Sequence, residues 1–210
     1  DPGPWMAVVL IAILVGLIGQ LAVIRLALGP QTSVGEAIGH GARRMPIFLL
    51  AMLLWILPIL IALFLLAGLV RPPNPSGAAS IVLLLLVGLL IFLAVRLIVA
   101  SAVASAENVG PIGILQRSWT LTKGSWLRLF GFTVLFFIAV ILLMVAVGAV
   151  IGILVGLVLG QPEPMSLGAL IVALATQAAV AAVTVVFLVM VARIYAQLTG
   201  RSENVEEVLR

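Results

Sequence analysis

Residues 107–131 read Glu107-Asn108-Val109-Gly110-Pro111-Ile112-Gly113-Ile114-Leu115-Gln116-Arg117-Ser118-Trp119-Thr120-Leu121-Thr122-Lys123-Gly124-Ser125-Trp126-Leu127-Arg128-Leu129-Phe130-Gly131. This is the longest stretch of the chain that mixes charge, aromatic rings and turn residues, and apolar walls flank it on both sides. It predicts a membrane-surface helix over 109–123 and then the start of a spanning helix. Asn108 suits the N-cap, and Pro111 falls in the first turn, where a missing N–H is harmless. Ile112, Leu115 and Trp119 share one face, with Ile114 and Leu121 on the other. Gly124-Ser125 breaks the segment, Ser125 can cap the next helix, and Trp126 with Arg128 suits the headgroup level.

Composition identifies the solvent. Hydrophobic residues make up 64% of the 210-residue chain and charged residues 9%, against about 25% charged in soluble domains. A soluble fold of this length has too little interior for that much apolar surface, so the fold class is all-α, a polytopic transmembrane helical bundle. The net charge of +4 does not imply nucleic acid, because the few charges gather at helix ends. Membrane lipids are the expected partners, with protein partners in the membrane. Cysteine is absent, which removes disulfide and thiol chemistry. The opening Asp1-Pro2-Gly3-Pro4-Trp5 has no basic n-region and reads as the middle of a loop, not as a signal peptide.

A span needs about 20 apolar residues. Five segments qualify, at 5–28, 47–70, 78–105, 126–159 and 167–198, within a single transmembrane domain covering 1–210. The connections alternate in character. Those at 71–77 and 160–166 are short and proline-rich, whereas those around 29–46 and 106–125 are longer and basic. Arg25, Arg43, Arg44, Arg96, Arg117, Lys123, Arg128, Arg193, Arg201 and Arg210 fall on one side, and Arg71 alone on the other. The positive-inside rule then places the N-terminus outside and the C-terminus in the cytoplasm of a bacterial inner membrane.

An internal repeat runs beneath the spans. The first, third and fifth each carry an arginine near the basic end: Arg25, Arg96 and Arg193. A capping residue and a valine follow each time, as Ser33-Val34-Gly35-Glu36, Asn108-Val109-Gly110-Pro111 and Asn204-Val205-Glu206-Glu207. The first and third have the form of capping boxes. The repeating unit is an outer proline loop, a span, an arginine, a cap and a surface helix, with surface helices expected at 33–45, 109–123 and 204–210. In the first, Val34, Ile38, Ala42 and Met45 form one stripe, and Glu36, His40 and Arg43 lie opposite.

Residues able to carry chemistry are sparse. His40 is the single histidine, so one chain cannot supply a histidine-pair metal site, and its position four residues after Glu36 reads as a surface pair. The seven acids lie in loops or caps, which argues against a carboxylate relay in the membrane. No nucleophile elbow, P-loop or zinc-protease helix is present. No catalytic, cofactor or metal site is therefore expected. Arg25, Arg96, Arg193, Arg117, Lys123 and Arg128 are candidates for contact with lipid headgroups or an anion, against simple snorkelling to the interface. Gly148, Gly152, Gly156 and Gly160 form an i, i+4 row, a glycine zipper that predicts close packing of the fourth span on another helix. The row Ala169, Ala173 and Thr176 of the fifth span is the expected partner within the chain.

The run from Gly113 to Gly131, with Arg117, Trp119, Lys123, Trp126 and Arg128 after the Val109-Gly110-Pro111 turn, resembles bacterial proteins carrying the glycerophosphoryl diester phosphodiesterase membrane domain. It is closest in kind to their inner-membrane relatives in alphaproteobacteria, sphingomonads especially. That resemblance implies a further span upstream of Asp1. The catalytic barrel to which such domains are fused has histidine and carboxylate motifs that nothing here matches, so the activity does not transfer. The expected function is that of a non-catalytic integral membrane protein, lipid-associated or an accessory subunit of a larger complex. A small transporter or lipid-handling protein is the alternative, and an intramembrane enzyme ranks last.

The cysteine-free background makes orientation directly measurable. With single cysteines placed at Asn74 or Glu203, an impermeant thiol reagent applied to intact cells is expected to label position 74 and spare position 203. The reverse pattern would invert the topology.

Overall fold

The computed structural model describes the backbone at residues 3, 5–29, 32–69, 77–160 and 166–208, with side chains placed except at 65–69, 78, 79, 159 and 201–208. Among these residues the chain is all-α. The helices are α1 (Trp5–Leu28), α2 (Val34–Leu69), α3 (Gly77–Arg96), α4 (Ala100–Ala106), α5 (Pro111–Leu121), α6 (Trp126–Leu159) and α7 (Leu167–Val208). Five stretches are long and apolar enough to cross a membrane, so this is a polytopic membrane bundle. The sequence treats the chain as one domain. Its contacts divide it into two compact units, one formed by Asp1–Trp126 with Val191–Arg210 and the other by Leu127–Met190. The proline loops at 70–76 and 161–165 lie outside the described residues, as do 209 and 210.

Four boundaries differ from expectation. The surface helix at 33–45 and the span at 47–70 are one helix, α2, running through Pro46 and Pro58. A proline in a helix interior costs about 3 kcal/mol in isolation, and membrane helices tolerate it when packing compensates. Here Ala37, Gly41, Arg44, Phe48 and Ala51 are all buried. They form one stripe at alternating steps of four and three that passes straight through Pro46, so both halves pack as a unit. At its other limit, α2 starts as expected. The Ser33 N–H and Oγ donate to Glu36 Oε2 at 2.9 and 2.8 Å, and the Glu36 N–H donates to Ser33 Oγ at 3.3 Å, which is a reciprocal capping box.

The third span is interrupted. α3 stops at Arg96, residues 97–99 form a turn, and α4 follows. Within the turn the Ala100 N–H donates to the Leu97 carbonyl at 2.9 Å, a tightened three-residue step that releases the Arg96 carbonyl. Two hydroxyls of the α5 region take it up, Ser118 Oγ at 2.9 Å and Thr122 Oγ1 at 3.2 Å. Such backbone survives inside a membrane protein only where other groups satisfy it.

The third difference is at the end of the chain. Over 204–208, the described part of the surface helix expected at 204–210, there is no separate element, because α7 is one helix of 42 residues through Val208. The cap proposed at Asn204 therefore lies inside a helix. α5 also begins later than 109, with Gly110 as N-cap and Pro111 at its first position; Asn108 has another role, described below. The break expected at Gly124-Ser125 is present, and Gly124 takes a φ of 82°, which glycine adopts without strain.

Where the backbones come closest is also a correction. In the second unit, α6 and α7 meet through Phe187, whose ring centroid is 5.4 Å from that of Phe136 and 6.4 Å from that of Phe137. A Cβ added at Gly148, Gly152, Gly156 or Gly160 would meet no atom within 4 Å. The row is thus not seated on Ala169, Ala173 and Thr176. Rings meeting between the two helices hold their backbones apart, and Gly160 closes α6 with a φ of 79°, as a C-terminal glycine does. The close approach lies instead in the first unit, where a Cβ on Gly41 would stand 2.6 Å from the Ile18 carbonyl oxygen and 3.3 Å from the Ala22 nitrogen.

These placements give opposite outcomes for like substitutions. Gly41→Ala is expected to destabilise the protein by about 1–3 kcal/mol through overpacking against backbone. Gly152→Ala is expected to be neutral, or stabilising by up to about 1 kcal/mol from helix propensity. Unfolding titrations in mixed micelles compare the two.

Candidate functional site

The buried residues of the first unit concentrate where α1, α2, α4 and α5 pack together, and small side chains make that possible. α4 reads Ala-Ser-Ala-Val-Ala-Ser-Ala, and its first six residues are buried. With little side chain to separate them, its neighbours approach its backbone, so its terminal carbonyls must find donors.

Arg44 supplies them. It is 8% exposed, and its Nε donates to the Ala104 carbonyl at 2.9 Å. Nη2 donates to the Glu107 carbonyl and to that of Val109 at 3.1 Å, while Nη1 donates to Asn108 Oδ1 at 3.1 Å. One planar fork therefore ties down the end of α4 and the segment after it. His40 adds to this, its Nε2 lying 2.8 Å from the Ser105 carbonyl. A carbonyl only accepts, so Nε2 carries the proton. The expected pair of Glu36 with His40 does not form: Glu36 is engaged by Ser33 and His40 by α4. Ser105 Oγ in turn donates to the Leu21 carbonyl at 3.1 Å, joining α4 to α1.

A second network gathers on Glu107. Its Oε1 accepts from Arg117 Nε and from the Tyr195 hydroxyl, both at 2.9 Å. It connects α5 and the last part of α7 to the same segment that Arg44 holds. Arg117, a candidate for headgroup contact, thus has an internal carboxylate as partner.

The third cluster surrounds Arg96. Its Cζ lies 5.3 Å from the Phe92 ring centroid and 4.9 Å from that of Trp119, within the range of cation–π attraction. The Trp126 indole N–H donates to the Phe92 carbonyl at 3.4 Å. The repeated arginines are therefore not equivalent: Arg25 and Arg96 are half-buried, Arg193 is exposed, and Arg96 lies against two rings. Lys123 and Arg128 are exposed as well. Among the described residues no three of His, Cys, Asp and Glu group as metal ligands would.

Arg44, Ser105, Ser118, Thr122 and Tyr195 escaped the sequence reading. One signal for Arg44 was available, since it falls on the small-residue stripe of Ala37 and Gly41 and not with Arg43 on the far face. Removing its guanidinium leaves the Ala104, Glu107 and Val109 carbonyls without their donor, each worth about 1–3 kcal/mol when buried. Arg44→Ala is expected to destabilise by at least about 3 kcal/mol in chemical unfolding. Arg44→Lys is expected to recover less than half, because an ammonium cannot reproduce the fork.

No curated protein and no solved structure matches the chain. A family model does, over residues 2–198. With nearly its whole length matched, the chain belongs to the family described as Domain of unknown function (DUF7847).

Proposed function

We propose that this is a non-catalytic, multi-pass protein of the bacterial inner membrane, its C-terminus in the cytoplasm, which serves as a lipid-associated accessory or assembly subunit of a larger complex. The observation that carries this reading is where the polar side chains are spent. Charged and polar side chains of the first unit fasten its own helices, as Arg44, His40, Glu107 and Ser105 do. In the second unit large apolar side chains stay open around α6 and α7, including Leu135, Leu142, Leu157, Val158 and Leu174, as others do on α1 and α3 of the first. The open apolar surface of α6 and α7 suits lateral association. The open glycine row of α6 gives a partner helix a place to approach closely. The resemblance to phosphodiesterase membrane domains supports a membrane role without the catalytic one.

A transporter or lipid-handling role is the second reading. The interruption of the third span at 97–99, beside Arg96, favours it, since discontinuous helices mark substrate sites in many transporters.

Extraction in native lipid with a styrene–maleic acid polymer, followed by native mass measurement, separates the two. The accessory reading expects a defined protein partner at fixed stoichiometry, released by Gly152→Leu while the chain stays folded. A lone chain that moves a solute across proteoliposomes would favour the transporter instead.

A further inference from the structure

Arg96 has the makings of a receptor. Its guanidinium lies against Phe92 and Trp119, which meet nearly edge-on with centroids 5.7 Å apart. Phe92 is braced in turn by Trp126 at 5.5 Å. Nε and Nη1 are covered and hydrogen-bond no atom of the described residues, whereas the residue as a whole is half-buried, and Nη2, which is not among the covered nitrogens, is the donor left for an incoming group. Its backbone is held in place, because Ser118 and Thr122 grip its carbonyl. The two ring contacts offset part of the cost of a guanidinium held out of water. An anion bonded to Nη2 would neutralise the charge that the rings leave uncompensated.

The carboxylates whose side chains are described are committed elsewhere. Glu107 accepts from Arg117 and Tyr195, and Glu36 closes the cap with Ser33. A second cation, exposed Lys123, follows directly on Thr122. Ile112 and Trp119, 60% and 41% exposed, lie on the outward face of α5. Two cations, ring walls and an apolar rim match a charged phosphodiester carried on a glycerol and acyl chains. A small inorganic anion would use only the first of these features. We propose that Arg96, walled by Phe92 and Trp119 and assisted by Lys123, binds the phosphate of an anionic phospholipid. This holds whether or not the protein is an accessory subunit, because it depends on the first unit alone.

Native mass measurement of the detergent-purified full chain tests the assignment with phosphatidylglycerol as probe, against phosphatidylcholine and inorganic phosphate. The wild type is expected to retain one phosphatidylglycerol, with at least tenfold preference over phosphatidylcholine and no displacement by millimolar phosphate. Arg96→Gln is expected to weaken retention at least tenfold, while Arg25→Gln and Arg193→Gln stay within twofold. Equal loss in all three variants, or none in Arg96→Gln, would overturn the site, and displacement by phosphate would overturn the lipid. A readout without change at Arg96 guards against misfolding of that variant. In a chain carrying Trp5→Phe and Trp55→Phe, brominated phosphatidylglycerol is expected to quench the remaining tryptophans more than brominated phosphatidylcholine, and equal quenching would contradict the proposal.

Discussion

In lipid, a leucine gains almost nothing by moving from the hydrocarbon to a helix–helix contact, so helices associate through close approach and polar bonds. The contact of Gly41 with the Ile18 carbonyl, and the Arg44 fork beside it, express that constraint. Because α4 is almost entirely alanine and serine, α1 and α2 can close on it. Because they close on it, its carbonyls are removed from any solvent and need the donors that Arg44 and His40 bring. The small residues and the buried guanidinium are thus one device. Remove the first and the second has nothing to hold; remove the second and the first exposes unsatisfied backbone.

The same constraint explains which parts of the fold were legible. Span limits follow from apolar length, and α1 and α6 match the expected 5–28 and 126–159. Capping chemistry is local, so the Ser33–Glu36 box was readable from four residues. What was not legible was which stripe of a surface helix meets protein. Val34, Ile38 and Ala42 are exposed, while Ala37, Gly41 and Arg44 are buried. In α5, Ile112 and Trp119 face outward, and the side of Ile114, Ser118 and Leu121 is buried. In α2 the protein-facing side is the one written in small and polar residues, whereas in α5 it combines Ser118 with the apolar Ile114 and Leu121.

The glycines illustrate the limit of pattern reading. Four in a row on α6 make the more conspicuous motif, yet the close contact depends on Gly41, a glycine with no such row around it. Spacing shows that a helix offers a groove; it does not show whether a neighbour enters. Phe136, Phe137 and Phe187 decide that for the second unit, and their meeting was not legible from either helix alone. Likewise the break after Arg96 had no proline or glycine to announce it. It depends on two hydroxyls more than twenty residues downstream accepting the role of the lost helical bond.

The central claim is therefore one of phase: along the first half of α2, the small and polar stripe faces protein and the apolar stripe faces lipid. A spin-label scan of residues 34–48 in lipid discs, using oxygen as a lipid-soluble relaxing agent, reads that phase directly in this cysteine-free chain. Oxygen access is predicted to peak at 34, 38, 42 and 45 and to fall to minima at 37, 41, 44 and 48. The opposite phase, with 37, 41 and 44 open to oxygen, would contradict the account.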